Sequence, residues 1–146
     1  MVNHIGLTVS DLDRSVSFYQ DVVGMEIARR GFRTGGEWFD ILTENHGAVV
    51  DAVMMSGDDV VLQLVQYYEG GNPDSVTGHN RVGNMHLSIN VDDLDAKYSQ
   101  IAGVGVRSCT PIVDLPIPGM RSFYVRDPDG VPVEFIASPT LAVQLE

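Results

Sequence analysis

His4–Tyr19 reads HIGLTVSDLDRSVSFY, and His86–Ile101, 82 positions later, reads HLSINVDDLDAKYSQI. At that offset His4 falls on His86, Val9 on Val91, and Asp11-Leu12-Asp13 on Asp93-Leu94-Asp95. A repeat of this kind marks a duplicated supersecondary unit. Each copy begins with period-two alternation. Ile5, Leu7 and Val9 stand against His4, Gly6 and Thr8; Leu87, Ile89 and Val91 stand against His86, Ser88 and Asn90. That is a strand with one face on an apolar layer.

Helical spacing follows in both copies. Leu12, Val16, Tyr19 and Val23 form one apolar stripe, and Leu94, Tyr98 and Ile101 form the other. Ser10 with Asp13 resembles a capping box, and Gly24 and Gly103 stand where helices stop. Further strands are expected over 27–33, 48–55 and 60–66, then over 106–109, 121–126 and 132–137. Turns at Ser56-Gly57-Asp58-Asp59 and Asp127-Pro128-Asp129-Gly130 close the last hairpin of each copy. A short helical turn is expected within 35–47. The reading is an α+β chain: two βαβββ modules forming a cupped mixed sheet with helices on the outer face. It makes one domain over 1–146, with module 1 at about 1–68 and module 2 at about 84–138. A Gly/Asn/Pro/Ser-rich linker at about 69–83 joins them, and a tail covers 139–146.

Composition narrows the partners. Nine basic against twenty acidic residues give a formal charge of −11, which repels nucleic acid and anionic lipid. Arg29, Arg30 and Arg33 are the local exception, either a solvated strand edge or a site for an anionic small molecule. The single cysteine, Cys109, supports neither an internal disulfide nor a thiolate cluster. Met-Val-Asn-His at the start has no signal-peptide character, and no apolar run nears the roughly 18 residues of a membrane span, so a cytoplasmic protein is expected.

The chemistry lies in residues that break the apolar face. Gln63 alternates with Leu62 and Leu64, and Glu134 with Val133 and Phe135. If the apolar neighbours face the helices, Gln63 and Glu134 share the opposite face with His4 and His86. An isolated buried carboxylate is costly. Two imidazoles, an amide oxygen and a carboxylate around one divalent cation satisfy it, suiting Zn, Ni, Co, Mn or Fe(II). A binding protein lined by hydrogen-bonded polar groups, without metal, is the alternative.

These motifs resemble the vicinal oxygen chelate superfamily: H-x-G-x-x-V-x-D-L-D at the start, H-x-x-x-x-V-D-D-L-D-A in the middle and D-P-D-G-x-x-V-E-F at the end. The superfamily includes glyoxalase I, methylmalonyl-CoA epimerase, extradiol dioxygenases, fosfomycin-resistance enzymes and metal-free bleomycin-binding proteins. The resemblance implies metal ligands at His4, Gln63, His86 and Glu134, a set similar to that of the epimerase. Bacterial glyoxalase I more often carries Glu where Gln63 stands. One carboxylate in place of two leaves a divalent ion a net positive charge and stronger Lewis acidity. The implied activity is that of a lyase or isomerase acting on a small carbonyl compound through an enolate. Fe(II) extradiol chemistry on His4, His86 and Glu134 is a second implication. Glu134 and Asp51 are the candidate catalytic carboxylates, Asp51 as the base in a strand comparable to the epimerase's. Arg29, Arg33, Trp38 and Arg126 are candidate substrate contacts. A homodimer is implied by the resemblance alone.

Overall fold

The computed structural model describes residues 2–74 and 78–138. The expected tail over 139–146 and residues 75–77 of the expected linker lie outside the described residues. The chain divides into two compact units, Met1–Asp74 and Ser75–Glu146.

In the first unit β1 (Ile5–Thr8) leads into α1 (Leu12–Phe18), whose last turn widens into a π-helical turn over Tyr19–Val23. The Gly24 N–H reaches back to Tyr19 O at 3.0 Å, and Gly24 takes the left-handed conformation expected of a terminator. Asp11, rather than Ser10, caps the helix: its carboxylate accepts from the Arg14 N–H at 2.9 Å. The Ser10 hydroxyl, one residue outside, instead accepts from the Arg14 guanidinium. Val22 turns inward in place of Val23, which is half-buried.

Then come β2 (Glu26–Arg30), β3 (Thr34–Gly35), α2 (Glu37–Thr43), β4 (Val49–Ser56) and β5 (Val61–Glu69). The sheet order is β1-β5-β4-β2 with β3 also on β4, and only β1 and β5 run parallel. The expected strand over 27–33 thus stops at Arg30 and resumes as β3. Gly31 keeps the chain against β4 at this point: its N–H donates to Ala52 O at 2.8 Å, and an added Cβ would lie 2.8 Å from that same oxygen. Leu12, Val16 and Tyr19 are buried with Val53, Met55, Leu62 and Leu64, so α1 covers one face of the sheet.

The second unit repeats the plan with β6 (Leu87–Asn90), α3 (Leu94–Ala102), β7 (Val113–Asp114), β8 (Arg121–Arg126) and β9 (Pro132–Ala137), ordered β6-β9-β8-β7. Again only the first strand runs parallel to its neighbour. Asp93 caps α3 as Asp11 caps α1. The chain leaves α3 through Gly103 in a right-handed conformation and turns left-handed only at Gly105. That turn, followed closely by Pro111 without an N–H, leaves the expected 106–109 strand only a bridge from Cys109 to Val125. Tyr98 packs edge-on against Phe123, which stacks on Phe135, above fully buried Val125 and Val133.

Candidate functional site

Alternation places Gln63 and Glu134 on the face away from the helices, opposite to their buried neighbours Leu62, Leu64, Val133 and Phe135. In the first unit Gly6 lies beside Gln63 on the parallel β1–β5 pair, and Met54 lies on the other side of Gln63. His4, two residues before Gly6 and in phase with it, is exposed, and its Nδ1 is 2.7 Å from Asn3 Oδ1. A Cβ at Gly6 would lie 4.0 Å from Gln63 Oε1, so the glycine leaves the carboxamide uncovered. Beyond Met54 the row continues to Arg29 through a β-bulge: Ile27 pairs with Met55 and Arg29 with Met54, leaving Ala28 as the extra residue. Arg30, next along, pairs with Val53 and sends its guanidinium to Asp13 of α1 at 3.4 Å. The two neighbouring arginines therefore occupy opposite faces.

Asp51 is not brought to the face of Gln63. It pairs with Gln66, and it is in phase with Val53 and Met55 on the helix side. The Gln66 side-chain oxygen accepts the Leu12 N–H at 2.8 Å, at the start of α1. Asp51 itself accepts the N–H of Ala52. The expectation of a catalytic base at Asp51 loses its geometric ground. His46, in the loop after α2, is spoken for by Asp40 at 2.8 Å. Arg33 lies with its guanidinium carbon 3.6 Å from the centroid of the Tyr68 ring, and Trp38 is exposed on α2.

In the second unit Glu134 lies between Ser88 on β6 and Tyr124 on β8. The Ser88 hydroxyl donates to Glu134 Oε2 at 2.8 Å. His86 Nε2 lies 3.8 Å from the same oxygen, too far for a hydrogen bond. The His86 ring meets Tyr124 edge-on at 5.6 Å, and His79 meets the same ring at 4.8 Å. Burial, reinforced by the Glu134 charge and its hydrogen bond, pushes the Tyr124 phenol above its ordinary pKa. Desolvation, then the charges of Arg126 and His86, hold His79 below the usual histidine value, with Glu134 opposing. Arg126 donates to Gly130 O within the hairpin turn at 2.8 Å.

Ser88 and Tyr124 are absent from the candidates that sequence reading gives, although alternation along Leu87–Asn90 and Arg121–Arg126 carries the signal for both. His79 carried no such signal, because its loop has no period. Within neither unit, among the described residues, do three His, Cys, Asp or Glu side chains come together. On the face away from the helices, the second unit brings an imidazole and a carboxylate near each other, His86 and Glu134, while the first carries His4 and Gln63 in phase on one face.

A family profile described as the Glyoxalase/Bleomycin resistance protein/Dioxygenase superfamily matches residues 1–135. Among curated relatives, the chain is 32% identical to a lactoylglutathione lyase of Pseudomonas aeruginosa, covering 92% of this chain and 80% of that one. It is 30% identical to a 2-epi-5-epi-valiolone epimerase of an Actinomyces species, covering 94% and 79%. Among solved structures, a glyoxalase family protein of Bacillus cereus superposes with a TM-score of 0.82 at 20% identity, covering 93% and 92%. The fosfomycin resistance protein FosX of Listeria monocytogenes, described in complex with Mn(II) and sulfate, superposes at 0.57 with 20% identity, covering 100% and 98%. Among the described residues no helix is long and apolar enough to cross a membrane. The chain belongs to the Glyoxalase/Bleomycin resistance protein/Dioxygenase superfamily.

Proposed function

We propose that this protein is a divalent-metal-dependent lyase or isomerase of the glyoxalase or epimerase kind, acting on a small carbonyl compound. His4 and Gln63 of the first unit, with His86 and Glu134 of the second, are the residues that would hold the ion. The observation carrying this reading is the half-buried Glu134 carboxylate. It shares its sheet face with His86, and the 3.8 Å gap to Nε2 leaves each donor uncommitted to the other. That pair fits a divalent cation, and a second imidazole with an amide oxygen completes a donor set suited to Zn, Ni, Co, Mn or Fe(II). When bound, such an ion supplies Lewis acidity toward a substrate carbonyl oxygen, undiminished by a second carboxylate.

The chain's own groups handle the proton. Glu134 accepts it from the carbon beside the carbonyl and returns it to the same or the neighbouring carbon. Ser88 and Tyr124 hold the carboxylate in place through their hydroxyls, so proton transfer starts from a fixed geometry. The first unit contributes neutral donors and open space, with Gly6 leaving room above Gln63.

The test is proton exchange in D2O. The protein loaded in turn with Zn, Ni, Co and Mn is given simple α-hydroxyketones and the hemithioacetal of methylglyoxal and glutathione. Metal-dependent loss of the α-proton signal, abolished in Glu134→Gln, is expected. Equal turnover by metal-free protein, or oxygen uptake with a catechol after Fe(II) loading, would contradict the proposal.

A further inference from the structure

The row of side chains across the first unit's sheet ends in a cation that has no ion pair among the described residues. Gln63, Met54 and Arg29 are successive cross-strand neighbours on β5, β4 and β2, so they share a face. The bulge at Ala28 is what aims Arg29 there. Without the extra residue, Arg29 would fall in phase with Ile27, on the helix side. Arg29 is exposed and makes no ion pair or hydrogen bond among the described residues. In a chain of net charge −11, an arginine that pairs with no carboxylate among the described residues stands out. Arg30 is on the helix side and bound to Asp13, and the Arg33 guanidinium is engaged on the Tyr68 ring. Two strand spacings, about 10 Å, separate Gln63 from Arg29 at the backbone, a gap that a guanidinium side chain can shorten. Met54 lies between them as an adaptable apolar floor.

We propose that Arg29 recognises a carboxylate on the substrate, and that the substrate is therefore an anionic carbonyl compound whose carboxylate lies a few bonds from its chelating oxygens. A single planar guanidinium suits a carboxylate, which it binds through two parallel hydrogen bonds. This inference rests on the metal reading above, with Gln63 as a ligand.

The experiment uses two probes on the metal-loaded protein, followed by calorimetry. Acetohydroxamate chelates through vicinal oxygens and carries no further charge; the monohydroxamate of glutaric acid adds a carboxylate. Wild type is expected to prefer the glutaryl probe by about tenfold, or about 1.4 kcal/mol. Arg29→Met should lose the preference while binding acetohydroxamate as wild type does. Arg30→Met, altering the helix side only, should keep it. Equal affinity for the two probes in wild type, or a preference surviving in Arg29→Met, overturns the assignment of Arg29 while leaving the metal reading intact. Failure of the metal-loaded wild type to bind acetohydroxamate overturns the metal reading, and this inference falls with it.

Discussion

Position for position, the two units are the same sheet furnished differently. Across the second unit the row reads Ser88, Glu134, Tyr124; across the first it reads Gly6, Gln63, Met54 and then Arg29. Where one unit has a carboxylate braced by two hydroxyls, the other has a neutral amide beside a glycine and a thioether. On the proposed reading, the second unit supplies charge and proton transfer, and the first supplies neutral coordination and a place for substrate.

The largest expected break in this asymmetry is at Glu134. Glu134→Ala should weaken divalent-metal affinity by more than about 100-fold, beyond the effect of losing a supporting hydrogen bond, whereas Gln63→Ala should cost about tenfold. Competition with a chelating dye measures both, and equal losses would erase the distinction between the units.

The hairpin turns differ in the same sense and give a stability contrast. Asp127 is fully buried, and its carboxylate accepts from the N–H groups of Asp129 and Val131 at 2.9 and 2.8 Å. The corresponding turn in the first unit is closed by backbone alone, from Gly57 N–H to Val60 O. Asp127→Ala should therefore destabilise the protein by about 1–2 kcal/mol, because it strands two partly buried donors. Asp58→Ala, on an exposed turn, should stay within about 0.5 kcal/mol. Urea denaturation separates the two.

Smaller effects sharpen the comparison. Gln63→Glu makes the units more alike; it should raise metal affinity by about tenfold and lower turnover as the ion's charge is neutralised. Ser88→Ala should reduce affinity by about tenfold or less through a looser Glu134. Gly6→Ser, which installs the second unit's residue in the first, meets no clash at 4.0 Å from Gln63 and should change affinity least.

Much of this was legible in the chain. Alternation over Val133-Glu134-Phe135 sets Glu134 against its neighbours, and the 82-residue offset exposes the duplication. Period alone does not reveal a bulge: one inserted residue at Ala28 takes Arg29 out of phase with Ile27 and so decides which of the two arginines faces away from the helix, and the sequence RR carries no sign of it. The face of Asp51 is hidden for a related reason. A carboxylate in an apolar strand draws attention, but only the pairing with Gln66 says which face it occupies. The 106–109 strand fails because Gly105 and Pro111 bound it, and its residues have alternation without enough partners. Ser10 gave way to Asp11 at the cap, since a carboxylate one residue later reaches the same orphan N–H groups more directly.

On the proposed reading, His4 and His86 are both metal ligands. Elemental analysis of wild type, His4→Ala and His86→Ala, purified alike and reloaded with one metal, tests it directly. About one ion per chain in wild type, with occupancy falling in both variants, is expected. Metal retained in full by either variant, or the same trace content in all three proteins, would contradict it.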